Sequence, residues 1–296
     1  MDWIRFAVHC PPAAVEAVVA VMHEVTSAGP AVEDAAALKR VSVYVPDIPQ
    51  ADEQSAAIKA HLLCVPAYLT CGVSLELSSE LVREEEWAET WKEFYHPIRA
   101  GQRLVIKPSW EPWPPQDDPQ AARPDDVVIE LDPGMAFGTG NHATTFLILL
   151  ALEDLARPGM RVVDAGCGSG ILSLASVKLG ASCVVAVDVD PVAVQVARDN
   201  VRLARAHNAI SVLQGGIERV PDREFDLVLA NISAPVVRGI CPDAFRLLRP
   251  GGYYVTSGFT DKWVEDVKAS QAQAGLHIVD VRKRESWRSV IGRKPR

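Results

Sequence analysis

The sequence contains no apolar run of the roughly 18–20 residues that a membrane-spanning helix needs. Its start, MDWIRFAVHC, lacks the charged-then-apolar pattern of a secretory signal. A cytoplasmic protein without membrane contact is therefore expected. Cysteine is scarce and scattered: Cys10, Cys64, Cys71, Cys167, Cys183 and Cys241 form no C-x-x-C pair and have no histidine at metal spacing. Neither a structural metal site nor a disulfide framework follows; reduced, mostly buried thiols do. Positive charge is in deficit. Thirty Lys and Arg against 38 Asp and Glu give a net charge of -8, which argues against a broad nucleic-acid-binding face. The one locally basic stretch, RKRESWRSVIGRKPR, reads as a terminal strand with a solvated charged edge. Internal repeats and low-complexity tracts are absent.

What is present is apolar material in regular patterns. With 296 residues, 48% of them hydrophobic, the chain can build about two domains with sizeable cores. Residues 1–80 read as a small α/β unit. Strands are expected at 3–9, 31–33, 39–45 and 73–77, and helices at 12–25 and 50–63. That order suggests a ferredoxin-like sandwich. A helix is then expected from residue 80 to 95, where Trp87, Trp91 and Phe94 share one face. It would serve as a linker between domains, over residues 81–100. A strand at 104–107 and a proline-rich surface loop at 111–126 follow.

From residue 127 the pattern changes. Strands are expected at 127–131, 161–165, 183–188, 210–214, 227–231, 253–257, 276–282 and 287–292. Helices are expected at 144–155, 171–179, 191–206, 236–248 and 262–274. Alternation of this kind implies a parallel sheet with helices on both faces. The last two strands follow each other directly, and that closing hairpin is typical of class I methyltransferases. The expected fold class is thus α/β: a class I methyltransferase Rossmann-like sheet over 101–296, preceded by the ferredoxin-like domain.

Four features carry chemistry. The first is VVDAGCGSG, residues 162–170. Gly166, Gly168 and Gly170 let the backbone turn sharply after a buried strand and approach a ligand closely. The spacing is G-x-G-x-G, and Ile171 stands where the dinucleotide fingerprint wants glycine. Asp164, just ahead of the loop, is suited to accepting hydrogen bonds around the amino-acid end of a ligand. The second is Asp188, which ends the next strand and can accept both hydroxyls of an adenosine ribose. Asp190, directly before Pro191, fits a helix cap better. Together these point to S-adenosyl-L-methionine as cofactor and to methyl transfer as the reaction class.

The third is Asn231, in DLVLANIS. Its side-chain carbonyl could accept from an amine; the plainer alternative is a turn residue closing a strand. The fourth is LDPGMAFGTGNHATT, residues 131–145, a glycine- and hydroxyl-rich loop that opens a helix and could lie over a cofactor. His142 within it is either a general base or, as lone loop histidines more often are, a structural hydrogen-bonding residue.

FGTGNHATT together with the glycine loop, VDVDP and ANIS resembles the ribosomal protein L-eleven methyltransferase family. EEEWAETWKEFYHPIRAGQRLVIKPSW resembles that family's linker and following strand. The likeness is strong over residues 80–296, while the first 80 match in length and pattern. It implies that Thr145, Gly166, Asp188 and Asn231 contact the cofactor and that Phe137, Gly138 and Gly168 line the same pocket; Asn231 is also expected, from its own chemistry, to orient the acceptor amine as the catalytic residue. It implies a monomer whose N-terminal domain captures ribosomal protein L-eleven, with lysine side chains and an α-amine as methyl acceptors. Asn141 and Ala143 replace the commoner Thr and Pro of the signature, and ISAPVV follows the key asparagine where ILAGPL is more usual. The alternative is a related protein-lysine methyltransferase acting on another protein or on a small amine.

Overall fold

The computed structural model describes all residues except 1–2, 27–28, 36–37, 47–49, 83–95, 116–117, 119–120, 132–141 and 223. The chain divides into two compact units, Met1–Tyr95 and His96–Arg296.

The first unit contains β1 (Trp3–Cys10), α1 (Val15–Thr26), β2 (Ala31–Ala35), β3 (Leu38–Pro46), α2 (Gln50–Leu62), the short α3 (Ala67–Thr70) and β4 (Leu77–Val82). The sheet order is β2-β3-β1-β4, with every neighbour antiparallel. This is the split βαβ arrangement of a ferredoxin-like sandwich. Alternation along the strands turns Phe6, Val8, Val41, Val43 and Val45 into the core. Val18 and Met22 of α1, one turn apart, and Ile58 and Leu62 of α2 close that core from the helix side.

β4 starts four residues later than the expected strand at 73–77. Cys71 and Gly72 both have left-handed φ, 53° and 80°, so the chain is still turning after α3. The paired residues are the polar LSSELV, mostly exposed. Such an edge carries little hydrophobic signal. Residues 80–82, expected to open a helix, instead complete β4 opposite β1. Trp87, Trp91 and Phe94 lie outside the described residues.

The second unit opens with a three-stranded sheet of β5 (Ile98–Ala100), β6 (Leu104–Lys107) and β7 (Val127–Glu130). β6 pairs antiparallel with β5 and parallel with β7. β7 therefore stands outside the main sheet, contrary to the expectation that the parallel sheet begins with it. Three β-favouring residues, Val127, Val128 and Ile129, declare a strand but not its partner. The proline-rich segment between β6 and β7 is pinned at its end. Arg99 binds Asp126 through both carboxylate oxygens, at 2.5 and 2.9 Å, and Trp113 Nε1 donates to Asp126 at 3.1 Å. The Arg99 hydrogen bond holds the Asp126 carboxyl down to about 2.

Then come α4 (Ala143–Leu155), β8 (Arg161–Ala165), α5 (Ile171–Lys178), β9 (Cys183–Asp188), α6 (Pro191–Leu203), β10 (Ile210–Gln214), β11 (Phe225–Asn231), α7 (Ala234–Gly239), α8 (Cys241–Leu247), β12 (Leu248–Thr260), α9 (Val264–Gln273), β13 (His277–Arg284) and β14 (Trp287–Arg293). The seven strands run in the order β10-β9-β8-β11-β12-β14-β13. All are parallel except β14, which inserts antiparallel between β12 and β13. This is the Rossmann-like sheet expected of a class I methyltransferase.

Successive residues of each central strand enter opposite layers. Val162, Val184, Leu227 and Leu229 join α4, α5 and α6. Val163, Val185, Val228 and Tyr254 join α7, α8 and α9. Burial on both faces explains the near-continuous apolar runs of β8, β9 and β11. The helix expected over 236–248 is two helices, with a break at Ile240 (φ -90°, ψ 2°). Pro242 has no N–H to give the Arg238 carbonyl, so the helix cannot continue through it.

Candidate active site

The strand order reverses between β8 and β11: the chain winds outward through β9 and β10, then returns to the other side. A crevice outside the carboxyl ends of the strands is expected at such a switch point. Asp164, Asp188 and Asn231, the site residues expected from sequence, all lie at or next to strand ends that meet there.

β8 feeds the loop Gly166–Gly170. Gly166, Gly168 and Gly170 adopt φ of 73°, 52° and 82°. Gly166 is required twice over. Its φ is left-handed, and an added Cβ would stand 2.4 Å from Ile232 Cγ2. The amides of Gly166 and Cys167 both donate to the Val187 carbonyl, at 2.9 and 3.1 Å. The loop is thus tied to the end of β9. Gly170 opens α5 without a side-chain cap, leaving the first-turn amides to the solvent or a ligand.

Asp188, half-buried, accepts from Gly168 N at 2.9 Å through Oδ2 and from Asp190 N at 3.0 Å through Oδ1. Each oxygen keeps a further lone pair, so the carboxylate can still take two hydroxyls. Capping of α6 belongs to Asp190, whose Oδ1 accepts from Val192 N at 2.8 Å with Pro191 in the first turn. The two neighbouring acids therefore divide the work, one at the loop and one at the helix.

Asp164 is fully buried. Its Oδ2 accepts from Ser173 Oγ at 2.6 Å, while Oδ1 has no partner among the described residues. Burial pushes its carboxyl up to about 6, with the Ser173 hydrogen bonds opposing and the nearby Asp188 charge reinforcing. Burial also pushes the Cys167 thiol far above its ordinary value, with both aspartates adding to the effect. The one thiol in the loop is therefore no nucleophile at neutral pH.

Asn231 ends β11, one residue beyond the pair Ala230–Ala165. Its Nδ2 donates to the buried Thr145 Oγ1 at 3.0 Å, and its Oδ1 is buried with no partner among the described residues. A buried acceptor left unpaired costs about 1–3 kcal/mol. Asp164 Oδ1 and Asn231 Oδ1 thus form two unmet acceptors at neighbouring strand ends. They suit a ligand that brings N–H or O–H donors. S-Adenosyl-L-methionine does so, with an ammonium group, an exocyclic amine and two ribose hydroxyls.

His142 caps α4. Its Nδ1 lies 2.7 Å from Thr144 Oγ1 and accepts from Thr144 N at 3.4 Å, and its ring packs edge-on to Trp287 at 4.7 Å. The nitrogen that faces the helix is committed to the cap. Phe137 and Gly138 lie outside the described residues. Among the described residues no group of three or more His, Cys, Asp or Glu is arranged to hold a metal.

Four residues with a part in this geometry carried no expectation. Ser173, in the first turn of α5, reaches back over the glycine loop to Asp164. Asn200 of α6 donates to the Ser169 carbonyl at 2.9 Å and so holds the glycine loop. A signal for it exists: asparagine interrupts the buried stripe Ala193, Ala197, Val201 of an otherwise amphipathic helix. Ile232 covers Gly166. Gly258 (φ 100°) lies against the Ile232 peptide, where a Cβ would be 2.3 Å from the carbonyl oxygen. Its contact depends on a β-bulge in β12 between Thr256 and Phe259.

A family model described as Ribosomal protein L11 methyltransferase (PrmA) matches residues 2–295. A ribosomal protein L11 methyltransferase of Geobacillus thermodenitrificans (strain NG80-2) is 36% identical over 324 aligned positions that span 100% of both chains. One of Bacillus cereus (strain G9842) is 35% identical, spanning 99% of each. A crystal structure of ribosomal protein L11 methylase from Lactobacillus delbrueckii subsp. bulgaricus superposes with a TM-score of 0.61 at 30% identity, over 68% of this chain and 100% of that one. With a family model covering nearly every residue and relatives aligned end to end, this chain belongs to the ribosomal protein L11 methyltransferase family.

Proposed function

We propose that the protein transfers methyl groups from S-adenosyl-L-methionine to lysine side chains and the N-terminal amine of ribosomal protein L11. The observation that carries the reading is Asn231: its Nδ2 is fixed by Thr145 while its Oδ1 is buried and unmet. Family membership supplies the protein substrate.

S-Adenosyl-L-methionine, when bound, supplies a methyl group already activated on a sulfonium, so the protein's share is binding, alignment and desolvation. Asp188 holds the ribose hydroxyls while its bonds to Gly168 and Asp190 keep the carboxylate in place. Asp164, braced by Ser173, serves the amino-acid end through Oδ1. Thr145 fixes the Asn231 amide so that Oδ1 accepts from the incoming amine and orients its lone pair. An unperturbed lysine amine, with pKa near 10.4, is neutral in only about one molecule in 10³–10⁴ at pH 7. Taking it out of water at Asn231 favours the neutral form. The released proton passes to water. The N-terminal unit would capture L11, and the protein would work in the cytoplasm as a monomer without direct nucleic-acid contact.

The test is incubation of the purified protein with methyl-labelled S-adenosyl-L-methionine and purified L11, followed by mass spectrometry of the L11 peptides. Methylated lysines and a methylated α-amine are expected, with the rate reduced at least tenfold in Asn231→Ala. Label appearing only on another protein or a small amine in a cell extract would overturn the substrate. Full kcat in Asn231→Ala would overturn the role of that residue.

A further inference from the structure

The main sheet has a concavity at the edge opposite the glycine loop. It lies where β8, β11 and β12 begin and β14 ends, with a volume of about 220 Å³. Its floor is apolar, formed by Leu155, Met160 and Tyr253 among others. Its remaining wall is mainly basic: Arg157, Arg249, Arg293 and Arg296 line it with one acidic side chain, Asp226. In a chain of net charge -8, this is a local reversal of sign.

The one acid is already engaged. Asp226 Oδ1 accepts from Arg249 Nε at 2.6 Å, and Oδ2 accepts from Arg161 N at 2.8 Å. Among the described residues, no carboxylate lies within ion-pair distance of Arg157, Arg293 or Arg296. The cations also converge. The position of an ideal Cβ on Gly251 is 3.6 Å from Arg293 Nη2 and 3.7 Å from Arg249 Nη1. Those two guanidinium ends are therefore no more than about 7 Å apart, a gap that one phosphate group can bridge with charge-assisted hydrogen bonds of about 2.8 Å on each side. Arg293 is held for this: its guanidinium lies 5.3 Å over the Tyr253 ring, and Nε donates to the Gly251 carbonyl at 3.3 Å. Its two Nη groups make no hydrogen bond among the described residues. Like charges so placed repel unless an anion joins them.

We propose that this cavity binds a small organic phosphate, with the phosphate group held by Arg249, Arg293 and Arg157 and an apolar or aromatic body seated on Leu155, Met160 and Tyr253. The site is separate from the glycine loop and does not depend on the methyl-transfer reading. Two features set the ligand class. The guanidinium fork matches phosphate geometry, and the apolar floor is wasted on an inorganic ion.

Calorimetric titration of the full chain with phenyl phosphate and with inorganic phosphate, at constant ionic strength, tests it. Phenyl phosphate is expected to bind at one site and about tenfold more tightly than inorganic phosphate, since burying a phenyl ring adds apolar contact. Arg293→Gln should weaken phenyl phosphate about 10- to 100-fold, the range of one lost charge-assisted hydrogen bond. Arg157→Gln, at an exposed position, should weaken it in the same direction and stands in if the first variant does not fold. Equal heats from chloride, affinity unchanged in both variants, or phenyl phosphate no tighter than inorganic phosphate would each overturn the proposal.

Discussion

Asn231 and Thr145 stand 86 residues apart in the chain and meet through one hydrogen bond of 3.0 Å, from the asparagine amide to the threonine hydroxyl. The bond joins the end of β11 to the first turn of α4. In this arrangement the amide nitrogen faces Thr145 and the Asn231 oxygen is left as an acceptor. Thr145→Val keeps the volume and removes the partner. The expected result is a fall in kcat of roughly 10- to 100-fold, the scale of a misaligned reacting group, with a smaller change in KM for the protein substrate. Thr145→Ser should restore most of the rate. Steady-state rates on L11 check this, and an unchanged kcat in the valine variant would remove Thr145 from the positioning of Asn231.

Asp188 receives two loop amides, from Gly168 and Asp190. Asp188→Ala takes away both anchors along with the proposed ribose acceptor. Cofactor affinity should drop by about 100-fold or more, because hydrogen bonds to a charged group contribute about 1.5–3 kcal/mol each. Titration calorimetry with S-adenosyl-L-methionine measures the loss. The same titration with NAD should give no binding to the native protein. NAD binding in place of S-adenosyl-L-methionine would refute the cofactor assignment.

Gly166 and Ile232 test the packing of the loop. Gly166→Ala introduces a methyl 2.4 Å from Ile232 Cγ2 at a left-handed φ. We expect a loss of about 2–4 kcal/mol from the collision and the backbone strain together. Ile232→Ala removes the colliding atom, so the double variant should recover about 1 kcal/mol or more relative to additivity. The recovery is partial, since the φ remains. Urea unfolding of the four proteins gives the coupling, and strict additivity would show that the contact is relieved by other movements.

The ends of β8, β9 and β11 match the strands expected from sequence closely, for a physical reason. Buried parallel strands are nearly continuous apolar runs, and each stops at a residue of another kind: Gly166, Asp188, Asn231. The edge strand β4 has no such contrast, because LSSELV is polar and its start is set by pairing with β1. β7 shows the opposite failure, a visible strand whose partner depends on tertiary packing. The helix break before Pro242 was readable, since a proline seven residues into an expected helix removes a needed N–H. Of the site, the residues that end strands were legible. Ser173, Asn200 and Gly258 were not, because each acts through a neighbour brought close only by folding.

Asp164 yields a prediction in pH. Its folded-state pKa of about 6 stands above the ordinary 3.8, so the folded protein binds more protons than the unfolded chain between those values. Stability from this group is fully present below pH 3.8 and is lost as pH rises through about 6. A difference of two units corresponds to roughly 2–3 kcal/mol. Asp164→Asn has no proton to lose and should lack that slope. Comparing urea unfolding of the two proteins at pH 4 and pH 7.5 cancels every titration they share. The difference should move in favour of the variant by roughly 2–3 kcal/mol between the two conditions. The variant should also bind S-adenosyl-L-methionine more weakly, because a neutral amide lacks the negative charge that a carboxylate offers an ammonium group. A stability difference independent of pH would mean that Asp164 titrates alike in both states, and burial would then not be what governs its charge.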